Sequence, residues 1–330
     1  MKKMKKLLYI FSISIILFSC SEPIDLVVNE KDKKIVLNSI IVSDSIIRVH
    51  LSKSLGILEP DSSTSYIEGA QIELYENDIF MENLVYDTSG YYISTIFPEL
   101  NNTYKLIANY DNLQEIEAQT SIPNAVPISN LIYDIGYFSW VEQWYDSVNE
   151  VFFDTTLYQI DSIAISITIN DPVNEDNYYL LNLSSVSPVY VYPPPLFEPV
   201  LIGYQPYDIY YTLNNLTNSE FSNLTGFRGY LVSDELFNGS NFTFSAIIDY
   251  WGGYYKKNKI GKATSESPIY INMISVSSDF YNFITSRNKY DDTQYNPLAE
   301  PVNIFSNIKN GFGLFTGCSL VRDSVMINFE

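Results

Sequence analysis

From Ile35 onward the chain runs through short segments in which apolar and polar residues alternate. KIVLNSIIV opens the series, and SIIRVHLSKS follows with Ile47, Val49 and Leu51 separated by polar neighbours. GAQIELYEN, from Gly69 to Asn77, sets Ile72 and Leu74 against Glu73 and Tyr75. A period of two sends successive side chains to opposite faces of an extended backbone, so these segments predict half-buried strands. YDTSGYYISTIF carries a turn signal from Asp87 to Gly90, and NTYKLIANYDNLQEIEAQTSIP predicts two strands joined around Asp111-Asn112. Residues 35–122 therefore predict one β-sandwich, and the two prolines of SIPNAVPIS mark 123–129 as a linker.

Residues 130–330 predict a second antiparallel β-rich domain. Its strands are read in SIAISITIND, YYLLNLSSV, NFTFSAIIDYW and PIYINMISVS, while SWVEQWYDSVNEVFFDTTLYQ reads as an excursion between them. The rhythm changes in SSDFYNFITSRNKYDD, where Phe280, Phe283, Ile284 and Arg287 stand at i, i+3, i+4 and i+7 behind a serine placed to cap. That spacing predicts one short helix near 278–290 with an aromatic side. The fold class is thus mostly β with a single helix in the C-terminal region. Between the strands, SPVYVYPPPLFEPVLIGYQPYDIYYTL carries prolines at 188, 193, 194, 195, 199 and 206. Proline cannot donate to a ladder, so this stretch predicts a sheet edge or an extended loop. Its Tyr190, Tyr192, Tyr204, Tyr207, Tyr210 and Tyr211 are candidate partner-binding residues, since aromatic side chains dominate interface hot spots.

The first nineteen residues belong to another process. Four lysines precede an apolar run from Leu7 to Phe18, about twelve residues long against the roughly twenty that a helix needs to cross a bilayer. A basic start, a short apolar core and a small residue before a break form an export signal, expected to be removed. The break, Leu17-Phe18-Ser19-Cys20, resembles the bacterial lipobox, apart from Phe18 in place of a smaller residue. That resemblance implies cleavage before Cys20 and acylation of its thiol and amine, with residues 20–34 as a polar tether. Several acyl chains, at about 0.8 kcal/mol per buried methylene, hold a protein on a membrane where one chain does not.

Composition narrows the chemistry. Loss of four of the 19 basic residues with retention of all 39 acidic ones takes the formal charge from −20 to −24. Nucleic acid is excluded as a partner by that balance, because phosphate binding requires clustered Lys and Arg. With Cys20 acylated, Cys318 is left without an intrachain disulfide partner. His50 is the single histidine, in an alternating strand, so His/Cys zinc sites are excluded by count and a nucleophile–histidine mechanism would have to use it. No cofactor or metal motif is present. NDPVNEDN, residues 170–177, is oxygen-rich but lacks the glycine and terminal glutamate of an EF-hand, and reads as a solvated turn.

Two resemblances add to this reading. Gly69-Ala70, Asp87 to Gly90 with Tyr92, and Tyr104-Lys105-Leu106 resemble the transthyretin-like or carboxypeptidase-regulatory-like, Ig-like sandwich over residues 35–122, which implies a scaffold or binding module. The run after the helix, YNPLAEPVNIFSNIKNGFGLF, with Asn296, Pro297, Ala299, Pro301, Asn307, Asn310, Gly311, Gly313 and Phe315, resembles the C-terminal signature of a Bacteroidota outer-membrane lipoprotein family known as domain of unknown function 4249. The resemblance implies a lipid-anchored outer-membrane protein, often encoded beside a TonB-dependent receptor, with no activity established. On the residues themselves, Asn310-Gly311-Phe312-Gly313 reads as a turn that needs φ > 0 at glycine.

The function expected is a noncatalytic outer-membrane lipoprotein, an accessory or ligand-capturing subunit of a TonB-dependent transporter or another outer-membrane complex. A surface glycan hydrolase using a carboxylate pair and an adhesin are the alternatives.

Overall fold

A computed structural model describes residues 33–56, 65–173, 175–191, 199–216, 219–224, 226–249, 255–256, 263–264, 267–294, 296 and 298–329. The first eight strands are β1 (Ile35–Val42), β2 (Arg48–Lys53), β3 (Gln71–Glu76), β4 (Ile79–Asn83), β5 (Val85–Tyr86), β6 (Tyr91–Ile93), β7 (Thr103–Asn109) and β8 (Ile116–Ser121). They form two facing layers, β4-β3-β7-β8 on one side and β1-β2-β6-β5 on the other. The period-two residues fill the space between: Leu37, Val49, Leu51, Ile72, Leu74 and Leu106 are fully buried. The turn before β6 is made by Ser89 and Gly90, both with positive φ. Its consequence is Tyr92, whose hydroxyl donates to the Ile67 carbonyl and accepts from Ala70 N–H, tying the chain before β3 to the opposite layer.

The second half contains β9 (Ile128–Asp146), β10 (Val151–Asn170), β11 (Tyr178–Val191), β12 (Val200–Asp208), β13 (Thr212–Leu213), β14 (Glu220–Leu224), β15 (Phe227–Ser233), β16 (Asn241–Asp249), β17 (Tyr255–Lys256), β18 (Ala263–Thr264) and β19 (Ile269–Val276). After helix α1 (Ser278–Thr293) come β20 (Phe312–Val325) and β21 (Asn328–Phe329). Ile163, Ile165, Ile167 and Ile169 of β10 pack with Phe244 of β16 against Tyr179, Leu181 and Leu183 of β11 and Ile271 and Met273 of β19. That is a second two-layer core. On the far face of β11, β19 and β20, helix α1 lays Phe280 and Ile284 on Leu180, Ile274, Leu314 and Cys318. Ser277 caps the helix through a hydrogen bond from Phe280 N–H, as its position predicts, and among the described residues no helix is long and apolar enough to cross a membrane.

The layers are not separate. By chain order 312–325 belongs to the second half, yet β20 runs parallel to β1 from Val36↔Phe312 to Val42↔Cys318 and antiparallel to β19 from Val276↔Cys318 to Ile269↔Val325. Its first half completes the N-terminal sandwich, where Phe315 is buried with Leu37 and Ile116. One sheet, β14-β15-β11-β19-β20-β1-β2-β6-β5, therefore passes through both cores.

The NGFG turn has the expected positive φ at a glycine, Gly313, and a second one at Asn310. Gly311 is required by space instead, since a Cβ there would meet the Ile35 carbonyl oxygen at 2.7 Å and Ile116 Cγ2 at 2.8 Å. One local expectation needs correction. Asp171, read as part of a solvated turn, is buried; the Tyr179 hydroxyl and Gly239 N–H both donate to it. A second carboxylate, Asp234, is buried in the adjoining turn, where Asn177 N–H donates to it at 2.8 Å.

Burial, reinforced by the charge of Asp171, raises the Asp234 carboxyl above 3.8 despite that hydrogen bond. A raised value means the folded state binds the proton more tightly than the unfolded chain. The stability that Asp234 contributes is then complete below 3.8 and is lost as pH rises through the raised value. Asp234→Asn should flatten the stability profile as pH rises above 3.8, read by urea unfolding at several pH values. An unchanged slope would contradict the assignment.

Candidate functional site

Two antiparallel ribbons leave the second core. In the first, β9 and β10 stay paired from Ile128↔Ile169 out to Asp146↔Val151, whereas only β10 residues 162–170 are covered by β16. β17 pairs with β10 at Leu157↔Lys256 and Tyr158↔Tyr255, and beyond it residues 151–156 with their partners 141–146 carry no third strand among the described residues, roughly 20 Å at about 3.3 Å per residue. The turn at its tip is closed by Asp146, whose carboxylate accepts from the Asn149 side-chain amide and from Val148 and Asn149 N–H; those bonds, the amide's first, hold its pKa below the usual carboxylate range. Val141, Trp144, Tyr145, Val148, Val151 and Phe152 are exposed along it, with Tyr145 and Phe152 rings 4.9 Å apart across the strands. The segment read as an excursion is this ribbon.

The second ribbon pairs β11 with β12 from Ser184↔Asp208 to Val191↔Val200. Beyond Ser184, β11 has left β19 behind, and among the described residues neither strand has a partner on its outer edge. Pro188 and Pro206 sit within this two-stranded piece, where the missing N–H costs no ladder bond if it faces outward. Tyr190, Tyr204 and Tyr207 are exposed on it together with Leu201 and Ile202.

The six tyrosines singled out by sequence therefore divide. Tyr190, Tyr204, Tyr207 and Tyr210 face solvent, and Tyr192 lies outside the described residues. Tyr211 is buried, with its hydroxyl donating to the Leu181 carbonyl and its ring edge-on to Tyr230 at 5.2 Å. It is a core residue of the second sandwich, and burial pushes its phenol well above the ordinary value. Tyr211→Phe should cost about 1 kcal/mol, the net worth of a hydrogen bond plus the stranded carbonyl, measured by chemical denaturation. Tyr210→Phe, on an exposed ring, should leave stability within 0.5 kcal/mol or so.

The signature residues of the tail gather at the joint between the two cores. Asn307 donates from its amide to the Phe315 carbonyl at 2.7 Å, to the Asp279 carboxylate at 2.9 Å and to the Gln119 carbonyl at 3.3 Å. It also accepts from Phe315 N–H at 3.0 Å. One side chain thereby ties β8, the first turn of α1 and β20. Asn310 reaches the Glu115 carbonyl, and Asn296 closes a turn by accepting from Leu298 N–H. Pro301 is exposed; Pro297 and Cys20 lie outside the described residues. The tail is a clasp on the N-terminal sandwich.

Beside this clasp a polar cleft of about 530 Å³ opens between the sandwiches, lined among others by Gln119, Thr120, Ser275, Asp176 and Asp279. Burial raises the Asp279 carboxyl, partly offset by the Asn307 bond. Two acids on one cleft are the raw material of acid–base chemistry, but Asp279 already commits an oxygen to Asn307. His50 is half-buried against the Tyr91 ring at 4.8 Å, and burial lowers its pKa. Cys318 lies under α1, where burial pushes its thiol up to about 12, an unreactive value. The two side chains belong to different surroundings, so they form no dyad. Among the described residues no cluster of three metal-binding side chains occurs.

A family model described as "Domain of unknown function (DUF4249)" matches residues 21–323. No curated protein matches the chain.

Proposed function

We propose, from the premise that this chain belongs to the DUF4249 family, that it is a noncatalytic subunit held on the outer membrane by a lipid at Cys20, and that it docks on an integral partner through its two ribbons. The observation that carries this reading is the exposure of Trp144, Tyr145, Phe152, Tyr190, Ile202 and Tyr204 on the outer parts of two hairpins, where no third strand pairs among the described residues. A two-stranded ribbon in water is marginal by itself, and contiguous apolar exposure on a soluble fold marks an interaction surface. Aromatic residues on such arms supply large contact area at small entropic cost. A TonB-dependent transporter is the partner favoured by the lipobox and by the neighbourhood that the family resemblance implies.

Gentle detergent extraction of the tagged chain tests this. The unaltered protein should bring down a membrane protein in stoichiometric amount. Phe152→Glu combined with Tyr204→Glu should abolish that recovery while changing stability by no more than about 0.5 kcal/mol per site, because both positions are exposed. Equal recovery by the double variant would remove the ribbons from the interface.

A further inference from the structure

Strand β11 changes partner in mid-course. Its first residues pair with β15 up to Leu181↔Tyr230, and from Ser184 onward it pairs with β12. Between them, at Asn182 and Leu183, the two neighbouring strands diverge and leave a notch of about 280 Å³. Its walls are Asn182, Asp208, Tyr210, Phe221, Arg228 and Tyr230. The size is just under the range of drug-sized sites, which suits a ligand of few atoms.

The notch contains one cation and one anion that do not meet. The Arg228 guanidinium lies over the Tyr210 ring, 4.3 Å from its centroid, and 5.8 Å from that of Phe221. Asp208 is drawn the other way by the Asn182 amide, which donates to it at 3.0 Å. Their nitrogens and oxygens stay more than 4.0 Å apart, so no ion pair closes the gap. Arg48 and Arg287 do find carboxylates, Asp87 and Asp291, in this strongly acidic chain. Arg228 has none among the described residues, although burying or shielding an uncompensated guanidinium is unfavourable.

The arrangement is also held rigid. Asn182 donates a second bond to the Arg228 carbonyl at 2.8 Å and accepts from the Asn272 amide at 2.7 Å. Asn272 in turn accepts from Arg322 Nε at 2.6 Å. Because arginine is only a donor, that last bond fixes which end of Asn272 is oxygen, and so which end of Asn182 faces Asp208. A polar chain running across β20, β19 and β11 thus sets the acceptor before any ligand arrives, the condition for tight binding of a small polar molecule.

We infer that this notch binds a small zwitterion with an apolar or aromatic body, its carboxylate received by Arg228, its ammonium by Asp208, and its body by Tyr210 and Phe221. A guanidinium takes a carboxylate through two parallel hydrogen bonds, and a carboxylate takes an ammonium through a charge-assisted one. A simple anion would be repelled by Asp208 and a simple cation by Arg228; a molecule carrying both charges satisfies both. A free amino acid and the termini of a very short peptide share this chemistry. The site holds its ligand with or without a partner on the ribbons, so its test and that of the docking reading fail separately.

Titration calorimetry on the full-length chain at pH 7 and low salt decides it, with L-phenylalanine and the dipeptide Phe-Phe as probes. One of the two should bind saturably, and the tighter identifies the source of the zwitterion. N-acetyl-L-phenylalanine, which lacks the ammonium, and L-phenylalaninamide, which lacks the carboxylate, should each bind on the order of tenfold to a hundredfold more weakly than L-phenylalanine, the usual loss for one charge-assisted hydrogen bond. Arg228→Gln and Asp208→Asn should each weaken the bound probe to the same degree, with unchanged melting temperature at least for Asp208→Asn, which can keep the bond from Asn182. Absence of heat with both probes at millimolar concentration would overturn the inference. So would binding that survives both substitutions.

Discussion

Gly313→Ala should leave the chain unable to hold its native sheet, or lower its stability by more than about 4 kcal/mol, the range reserved for overpacking and backbone strain at a fixed site. Two penalties coincide. Gly313 has φ of 110°, a region that residues with a Cβ avoid. A Cβ there would also overlap the Leu37 carbonyl oxygen and lie 2.8 Å from its carbon, and these are backbone atoms of β1. Strand β1 cannot yield, because β2 is paired along its other edge, from Ile35↔Lys53 to Asn38↔His50. The parallel ladder between β1 and β20 would open, and with it the connection between the cores. Gly203→Ala provides the control: no atom lies within 4 Å of a Cβ at that position, and its stability should be unchanged. Urea unfolding of the two variants gives the comparison.

Asn307→Ala is the second large effect, expected near 3 kcal/mol. The alanine would leave Phe315 N–H without its acceptor, the Phe315 carbonyl without its 2.7 Å donor, and the Asp279 carboxylate half-buried without its donor. Each neutral group stranded in this way costs about 1 kcal/mol or more, and a charged one costs more than that. Asn307→Asp separates charge from shape. It keeps the acceptor for Phe315 N–H but sets a second carboxylate against Asp279, so it should be at least as damaging at pH 7. Both acids would then have raised pKa values in the folded state, and the lost stability should return as pH falls. A pH-independent deficit would contradict this account of the joint.

Much of the architecture could be read from local pattern, and the reasons for the misses are physical. Val49 and Leu51, or Ile72 and Leu74, alternate because one face of each strand is buried, and the helix at 278–293 announces itself through Ser277, Phe280 and Ile284. The turn at Ser89-Gly90 needs positive φ, which Asp-x-x-Gly supplies. By contrast, none of the described side chains from Val141 to Phe152 at the outer end of the β9–β10 ribbon is buried, so nothing imposes an alternation there. The pairing of β20 with β1 joins residues almost a whole chain apart, and no local signal encodes such a partner. Tyr210 and Tyr211 are adjacent and chemically identical; in the connection between β12 and β13 the first faces solvent and the second reaches the Leu181 carbonyl, a difference that only the tertiary packing sets. The notch was hidden for a similar reason, since Asn182, Asp208, Phe221 and Arg228 come from four strands or their ends. Asn307 could be found because the tail signature names it, although its role as a clasp needed the register of β8 and β20.

The docking reading rests on the ribbons, and photo-crosslinking from them in native membranes tests it most directly. A photoreactive amino acid would replace Tyr204 or Phe152, with Ile79, an equally exposed residue at the far edge of the N-terminal sandwich, as the reference position. Discrete adducts to one integral membrane protein from Tyr204 and Phe152, and none from Ile79, are the predicted result. The same faint or absent adducts from all three positions would contradict it.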